Sequence, residues 1–578
     1  MTVFAVWRRR GRALPEPLAS RVKCLLEPAS GSFVEGVWGL IKTCPPACLK
    51  REGSTAIAWA AANGAEAPPP GHPTVRLEND TLTVAAGPFP QYALYYSRSK
   101  DGDFVLVSSS LERLARLRPE GALRAQRLLS YILWTAADPE ADATVYAEIL
   151  RLRPCQTLVL GPDVRSRRDV PRLGVTYRKA KPEDLAVELR EHLDAAVARA
   201  ITPARSVGVL ASGGLDSSGV LATAAAQCSR TTKALTALAV RFSGPGDDRP
   251  YLDELSSALN LIPVSLSAED VGRWFLRSLC VDGQPAAVST MSFDLALCSA
   301  CTDRRLDVVL TGGSGDVICG GPIAFAQLAR RGHVVSALHR AVKMRVPWPT
   351  TAWGRMRSFV LSPLLPRRLV RRRRRKLYRA AWIPGGFQAL LDRSREASEV
   401  SLAEVPDSPD AWVARLCNGS GMSDVAEGAT QQLALTGCAP VDIFLDADFV
   451  RFVLELDPLV LSHGHEYRGL YRLAMKGLLP ERVRRRQDKA WFEPVIGQAA
   501  LCANAIELLS DLGSMNTTAT WGLVDSERVR PMFDLWLDAV RRGERRERHP
   551  GDEQWGQVWQ LLSVEAFLRE YGRGRALV

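Results

Sequence analysis

Histidine is scarce in this chain. There are seven in 578 residues, and none accompanies the close cysteine pairs Cys44/Cys48 and Cys298/Cys301. Structural zinc takes four ligands, mostly cysteine and histidine, so neither pair reads as half of a zinc site. The 12 cysteines also lack the dense, even spacing of a disulfide-stapled scaffold. Buried reduced thiols are the expectation. Long apolar runs are missing as well: no stretch reaches the roughly 18 residues that a membrane-spanning helix requires. Met1 to Arg10 has a short apolar core, Val3 to Trp7, with arginines after it rather than before. That is the wrong order for a secretory signal, and a cytoplasmic enzyme is expected. No internal repeat of about 20 to 50 residues is visible.

What is present is the composition of a soluble globular protein, 46% hydrophobic and 24% charged. The length exceeds what one ordinary core accommodates, so at least two domains are expected. The net charge of +12 is concentrated rather than spread. Arg367, Arg368, Arg371 to Arg375, Lys376 and Arg379 carry most of it, with no acid between them. Such a run is either a solvated face or a docking surface for an acidic partner. Without interleaved aromatics it does not read as a nucleic-acid site.

The chain changes character along its length. Up to residue 165 it reads as short strands, such as Thr81 to Val84 and Phe104 to Val107, punctuated by Gly/Pro-rich turns. Gly161-Pro162 and the arginine-rich stretch to Arg172 read as a linker. The second domain, 182–578, opens with Leu185, Leu189, Leu193 and Val197 recurring every four residues behind Pro-Glu-Asp, an amphipathic helix with N-terminal signals. Strands at Ser206–Leu210, Leu235–Val240 and Asp307–Thr311 then alternate with helices at Ser217–Gln227 and Tyr251–Leu259. That alternation predicts an α/β fold with a parallel sheet flanked by helices, binding ligands at the carboxyl ends of its strands.

Two glycine-rich loops fall at such ends. The first runs Leu210-Ala211-Ser212-Gly213-Gly214-Leu215-Asp216-Ser217-Ser218. Its glycines let backbone N–H groups face a phosphate, its serines add donors, and the helix beginning near Ser217 points its positive end there. The Gly-Lys-Ser/Thr of a Walker loop is absent, so the polyphosphate charge must be offset otherwise, and Asp216 can hold magnesium for that purpose. The second loop, Thr311-Gly312-Gly313-Ser314-Gly315-Asp316, repeats the design and would bring a second carboxylate to the same metal.

Ser-Gly-Gly-Leu-Asp-Ser-Ser after a strand resembles the pyrophosphate loop of the asparagine synthetase superfamily. Further landmarks follow in order: Leu94-Tyr95-Tyr96 with Phe104–Ser108, Ala147–Leu160 with Arg153-Pro154, Asp248 and Tyr251, and Phe444-Leu445-Asp446. Tyr471-Arg472-Leu473-Ala474, Leu479-Pro480 and Arg486-Gln487-Asp488-Lys489 complete them. The resemblance implies a degenerate Ntn-amidotransferase-like α/β sandwich over 1–165 and an adenine-nucleotide-binding synthetase domain over 182–578. It also implies ATP and Mg²⁺ as cofactors. The nucleotide would lie on Leu210, Ser212, Gly213, Gly214, Asp216, Ser217, Ser218, Val240, Gly312 and Gly313, with the metal on Asp216 and Asp316. Lys489 would be the catalytic residue that stabilises developing negative charge.

The departures from the family pattern narrow the expectation. Members that take ammonia from glutamine carry a catalytic cysteine directly after the initiator methionine, where this chain has Thr2. The Glu–Tyr base dyad of β-lactam synthetases is absent, with Ala439 and Gly313 in its places. Lost glutaminase, lost dyad, an arginine-rich insertion followed by Trp382, and overall length all resemble the lasso-peptide macrolactam synthetases. The expected partners are a precursor peptide, a leader peptidase and a leader-binding protein, with neither membrane nor nucleic acid. An ammonia-dependent asparagine synthetase, a small-molecule amide ligase such as a β-lactam synthetase, and an inactive nucleotide-binding scaffold are the rival expectations.

Overall fold

The computed structural model describes residues 2–8, 14–26, 33–35, 39–44, 49–52, 55–59, 72–78, 81–133, 140–241, 247–321, 323–347, 350–365, 382–387, 389–390, 406–438, 440–488, 493–542 and 553–578. The first domain is built on two six-stranded antiparallel sheets. One runs Leu150–Arg151, Tyr95–Arg98, Phe104–Ser108, Thr2–Arg8, Gly39–Cys44, Phe33–Glu35. The other runs Val164–Arg168, Gln156–Leu160, Thr81–Ala85, Thr74–Glu78, Thr55–Trp59, Leu49–Glu52. Alternation along Thr2–Arg8 explains the layering. Val3, Ala5 and Trp7 enter the core shared by the two sheets, while Phe4 and Val6 face helices Leu111–Leu117 and Ala125–Ile132. Val164–Arg168, where the sequence suggests a linker, is instead an edge strand of the second sheet. Arg165, Ser166 and Arg167 are exposed, which suits a sheet edge.

The second part of the chain centres on a five-stranded parallel sheet: β1 (Ser206–Leu210), β2 (Ala234–Val240), β3 (Val264–Leu266), β4 (Val308–Thr311) and β5 (Pro440–Asp442). Its order is β3-β2-β1-β4-β5. The chain moves outward in one direction through β3 and returns on the other side of β1, so β1 and β4 flank the topological switch point. Helices α1 (Pro182–Ile201), α2 (Leu215–Thr231) and α3 (Arg249–Leu259) cover the sheet. On α1, Pro182 starts the helix, Glu183 and Asp184 sit in its first turn, and Leu185, Leu189, Leu193 and Val197 are buried.

The two domains are tied through buried charge. Glu427, with no exposed surface, accepts from Arg151 (2.6 Å), Arg127 (3.2 Å) and the hydroxyl of Tyr131. The C-terminal end returns to the first domain, where the Val578 N–H donates to Leu123 O at 2.8 Å. Among the described residues, no helix is long and apolar enough to cross a membrane.

Candidate nucleotide site

Because β1 and β4 are neighbours, the loops that follow them meet. In the first, Ser212 N–H donates to Ser217 Oγ (3.2 Å), the two hydroxyls lie 2.9 Å apart, and Gly214 N–H reaches Ser212 Oγ at 3.3 Å. Gly213 sits at φ +63°, and a Cβ there would fall 3.0 Å from Asp248 O and Leu252 N. Only glycine supplies both that conformation and that clearance. Helix α2 begins at Leu215, two residues earlier than Ser217, so Asp216 stands in its first turn. Ser218 is fully buried with its N–H bonded to Gly214 O (3.0 Å). Leu210 and Val240 are half-buried at the ends of β1 and β2.

The second loop packs directly on the first. A Cβ at Gly312 would lie 2.9 Å from Ser217 N, and one at Gly315 would lie 2.6 Å from Asp216 Cγ. Gly315 therefore leaves open the space beside the Asp216 carboxyl. Gly313 is exposed, and Asp316 falls in the first turn of the short helix α4 (Gly315–Ile318). Tyr467 Oη donates to Asp316 O at 2.9 Å.

Three side chains make polar contacts here that the sequence does not signal. Arg468, 5% exposed and in the left-handed region at φ +59°, donates to Asp216 Oδ2. Burial pulls the Arg468 guanidinium down, but Asp216, Tyr467 and Asp316 outweigh it and raise it above its ordinary value. Asp442, the last residue of β5, accepts the Ser314 N–H at 2.8 Å and the Phe444 N–H at 3.1 Å. Burial pushes its carboxyl up to about 6. Arg486 pairs with Asp248, donates to Gly213 O at 3.3 Å and stacks over Tyr251, 4.1 Å from the ring centroid. Burial likewise pushes Asp248 up to about 6, against the pull of Arg486.

Other landmarks have structural duties. Asp446 caps helix α5 (Ala447–Glu455), accepting from Asp448 and Phe449 N–H at 3.1 Å, and pairs with Arg199 at 2.5 Å. Cys298 and Cys301 are buried free thiols. Lys489, Ala439 and the arginine run 367–379 lie outside the described residues. Asp488, which precedes Lys489, is anchored by Arg486 Nε (2.9 Å) and Tyr251 Oη (3.2 Å) beside the first loop.

Magnesium fits the donor chemistry. It takes one or two carboxylates and completes its shell with water and phosphate oxygens. Asp216 and Asp316 offer hard oxygen from adjoining loops, and Gly315 leaves room beside one of them. Among the described residues there is no group of three or more histidine, cysteine or acidic side chains suited to a metal. Water and phosphate oxygens would supply the remaining ligands.

A doubly wound parallel sheet with paired glycine-rich loops at its switch point defines an α/β domain with its candidate ligand site at those loops. The chain belongs to the asparagine synthase family, whose model matches residues 188–569. Membership makes it an ATP-dependent ligase that forms amide bonds. Among solved structures it is similar to the glutamine phosphoribosylpyrophosphate amidotransferase from B. subtilis complexed with ADP and GMP. That match has 10% identity over 46% of this chain and 81% of that one, with a TM-score of 0.19. An allosteric regulatory enzyme of purine biosynthesis matches at 11% identity over 46% and 74%, with a TM-score of 0.17. No curated protein matches.

Proposed function

We propose that this chain closes a macrolactam, joining the N-terminal amine of a precursor peptide to one of its own Asp or Glu side chains. The observation that carries the reading is Thr2 where glutamine-using relatives hold a cysteine, beside two glycine-rich loops that retain their carboxylates. Without a thiolate to release ammonia the amine comes from another source, and a substrate that carries its own is the simplest one.

ATP would lie along both loops, with its phosphates at the turns around Gly213, Gly214 and Gly312. Asp216 and Asp316 would hold Mg²⁺, which would offset the phosphate charge. The peptide carboxylate attacks the α-phosphate, forming an acyl-adenylate and releasing pyrophosphate. The peptide's α-amine then attacks the acyl carbon, and AMP leaves. An α-amine has a reference pKa of about 7.7–8.0, so a useful fraction is unprotonated near neutrality, and the missing Glu–Tyr dyad is tolerable. Lys489 stabilises the charge that develops in both steps. Tethering amine to acyl group supplies the advantage of intramolecular attack.

The test is mass spectrometry of leader-free peptide incubated with enzyme, ATP and Mg²⁺. The product should be lighter by one water, with AMP and pyrophosphate formed in equal amounts. Amide formation from aspartate and free ammonia, with every candidate peptide untouched, would replace this reading with that of an ammonia-using asparagine synthetase.

A further inference from the structure

We propose that Gln91, in the first domain, is a positioning residue for the nucleotide site and acts through Asp442. The proposal rests on reading the two loops as that site. Strand β5 is only three residues long and ends the sheet, paired on one side with β4. Its outer edge would leave backbone groups unsatisfied in the interior. The first domain satisfies them. Gln91 Nε2 donates to Asp442 O and Asp442 N–H donates to Gln91 Oε1, both at 2.9 Å. Tyr92 Oη donates to Pro440 O at 2.6 Å, two residues along the same edge. The Gln91 amide thus stands in for a sixth strand, and it is 3% exposed.

What Gln91 fixes is the residue that fixes the second loop. The Asp442 carboxylate accepts the Ser314 N–H, and in the same loop Gly312 lies against Ser217 N and Gly315 against the Asp216 carboxyl. A continuous path of contacts therefore runs from Gln91 through Asp442 and Ser314 to the Asp216 carboxyl. A first domain that has lost its nucleophile retains, on this account, the task of holding the nucleotide loops in register.

The test uses the full chain with Gln91→Met, which keeps volume and removes both hydrogen bonds, and Tyr92→Phe as a milder change. Thr430→Val is the control. Its hydroxyl accepts the Ala93 N–H at 2.8 Å across the same domain boundary, but from helix Ser420–Thr436 rather than from β5. Gln91→Met should weaken Mg·ATP binding about tenfold by calorimetry, the scale of one or two lost hydrogen bonds. It should also speed backbone amide exchange in the peptide 308–316. Tyr92→Phe should move both in the same direction by less, and Thr430→Val should move neither. Unchanged affinity and exchange in Gln91→Met would overturn the proposal. So would equal effects from Thr430→Val, which would mean a loosened interface and nothing more. If the wild type fails to bind Mg·ATP, the nucleotide reading falls, and the exchange measurement still decides whether Gln91 orders the loop.

Discussion

Arg468 aims its guanidinium at the Asp216 carboxylate, and both side chains are largely enclosed, 6% and 16% exposed. A carboxylate at the start of α2, facing a second acidic loop, needs a counter-charge whether or not a metal is bound. Arg468 supplies one. Leaving one member of a buried pair without its partner costs about 3–5 kcal/mol. Arg468→Met should therefore lower the melting temperature measurably without ligand, and saturating Mg²⁺ should restore part of the loss. A melting temperature that does not move would show that the pair carries no such weight.

Asp216→Asn and Asp316→Asn test the metal assignment separately. Each should cut pyrophosphate release about 10²–10³-fold, the size of effect seen when one stabilising group is removed from a transition state. Wild type at Mg·ATP near 100 times its dissociation constant should gain about 2.7 kcal/mol of stability, and the Asp216 variant should gain little. Full activity in either folded variant would remove the two-carboxylate site.

The sheet and first loop were legible because local sequence dictates them. Ser206–Leu210 is a short apolar run closed by glycines, and the leucines of α1 repeat at helical spacing. Arg468 and Asp442 were not legible. Their partners lie 252 and 128 residues away in sequence, and neither residue type at its own position signals such a contact. Gln91 is further out of reach, since its role exists only once β5 is known to be an edge. Val164–Arg168 was misread for the opposite reason. An exposed edge strand rich in arginine and serine looks like a linker until its partner Gln156–Leu160 is in place.

Asp282 gives a pH prediction. It is buried and accepts from Ser110 Oγ (2.5 Å) and Leu111 N–H (2.8 Å) across the domain boundary. Burial pushes its carboxyl from an ordinary 3.8 up to about 7. A folded pKa above the unfolded one means that the protonated form favours the folded state. Its contribution is complete below about 3.8 and is lost as pH rises through about 7. Urea denaturation between pH 4 and 8 should show that loss in wild type, and Asp282→Asn should lack it. Identical pH slopes for the two proteins would contradict the assignment.

Glutamine should be inert. Thr2 begins a strand of the first domain but brings no thiolate. Incubation with glutamine should release no glutamate above a protein-free control, with ATP and peptide present or absent. Steady glutamate release would mean that a hydroxyl nucleophile had replaced the cysteine, and the amine source would have to be reassigned.

The sharpest prediction separates activation from ring closure. Acetylating the N-terminus of the leader-free peptide removes the nucleophilic lone pair and leaves the Asp or Glu carboxylate untouched. The enzyme should then still exchange labelled pyrophosphate into ATP, because adenylation needs only the carboxylate, while no product lighter by one water forms. Lys489→Ala should slow both exchange and closure by about 10²–10³-fold, since the same side chain would meet negative charge in each step. Lys489→Arg keeps the charge but changes its shape and reach, so it should recover part of the exchange and less of the closure. Loss of exchange on acetylation would place the amine in the adenylation step as well. Full activity in Lys489→Ala would move the stabilising cation elsewhere, with Arg468 and Arg486, already at the loops, as the groups to examine next.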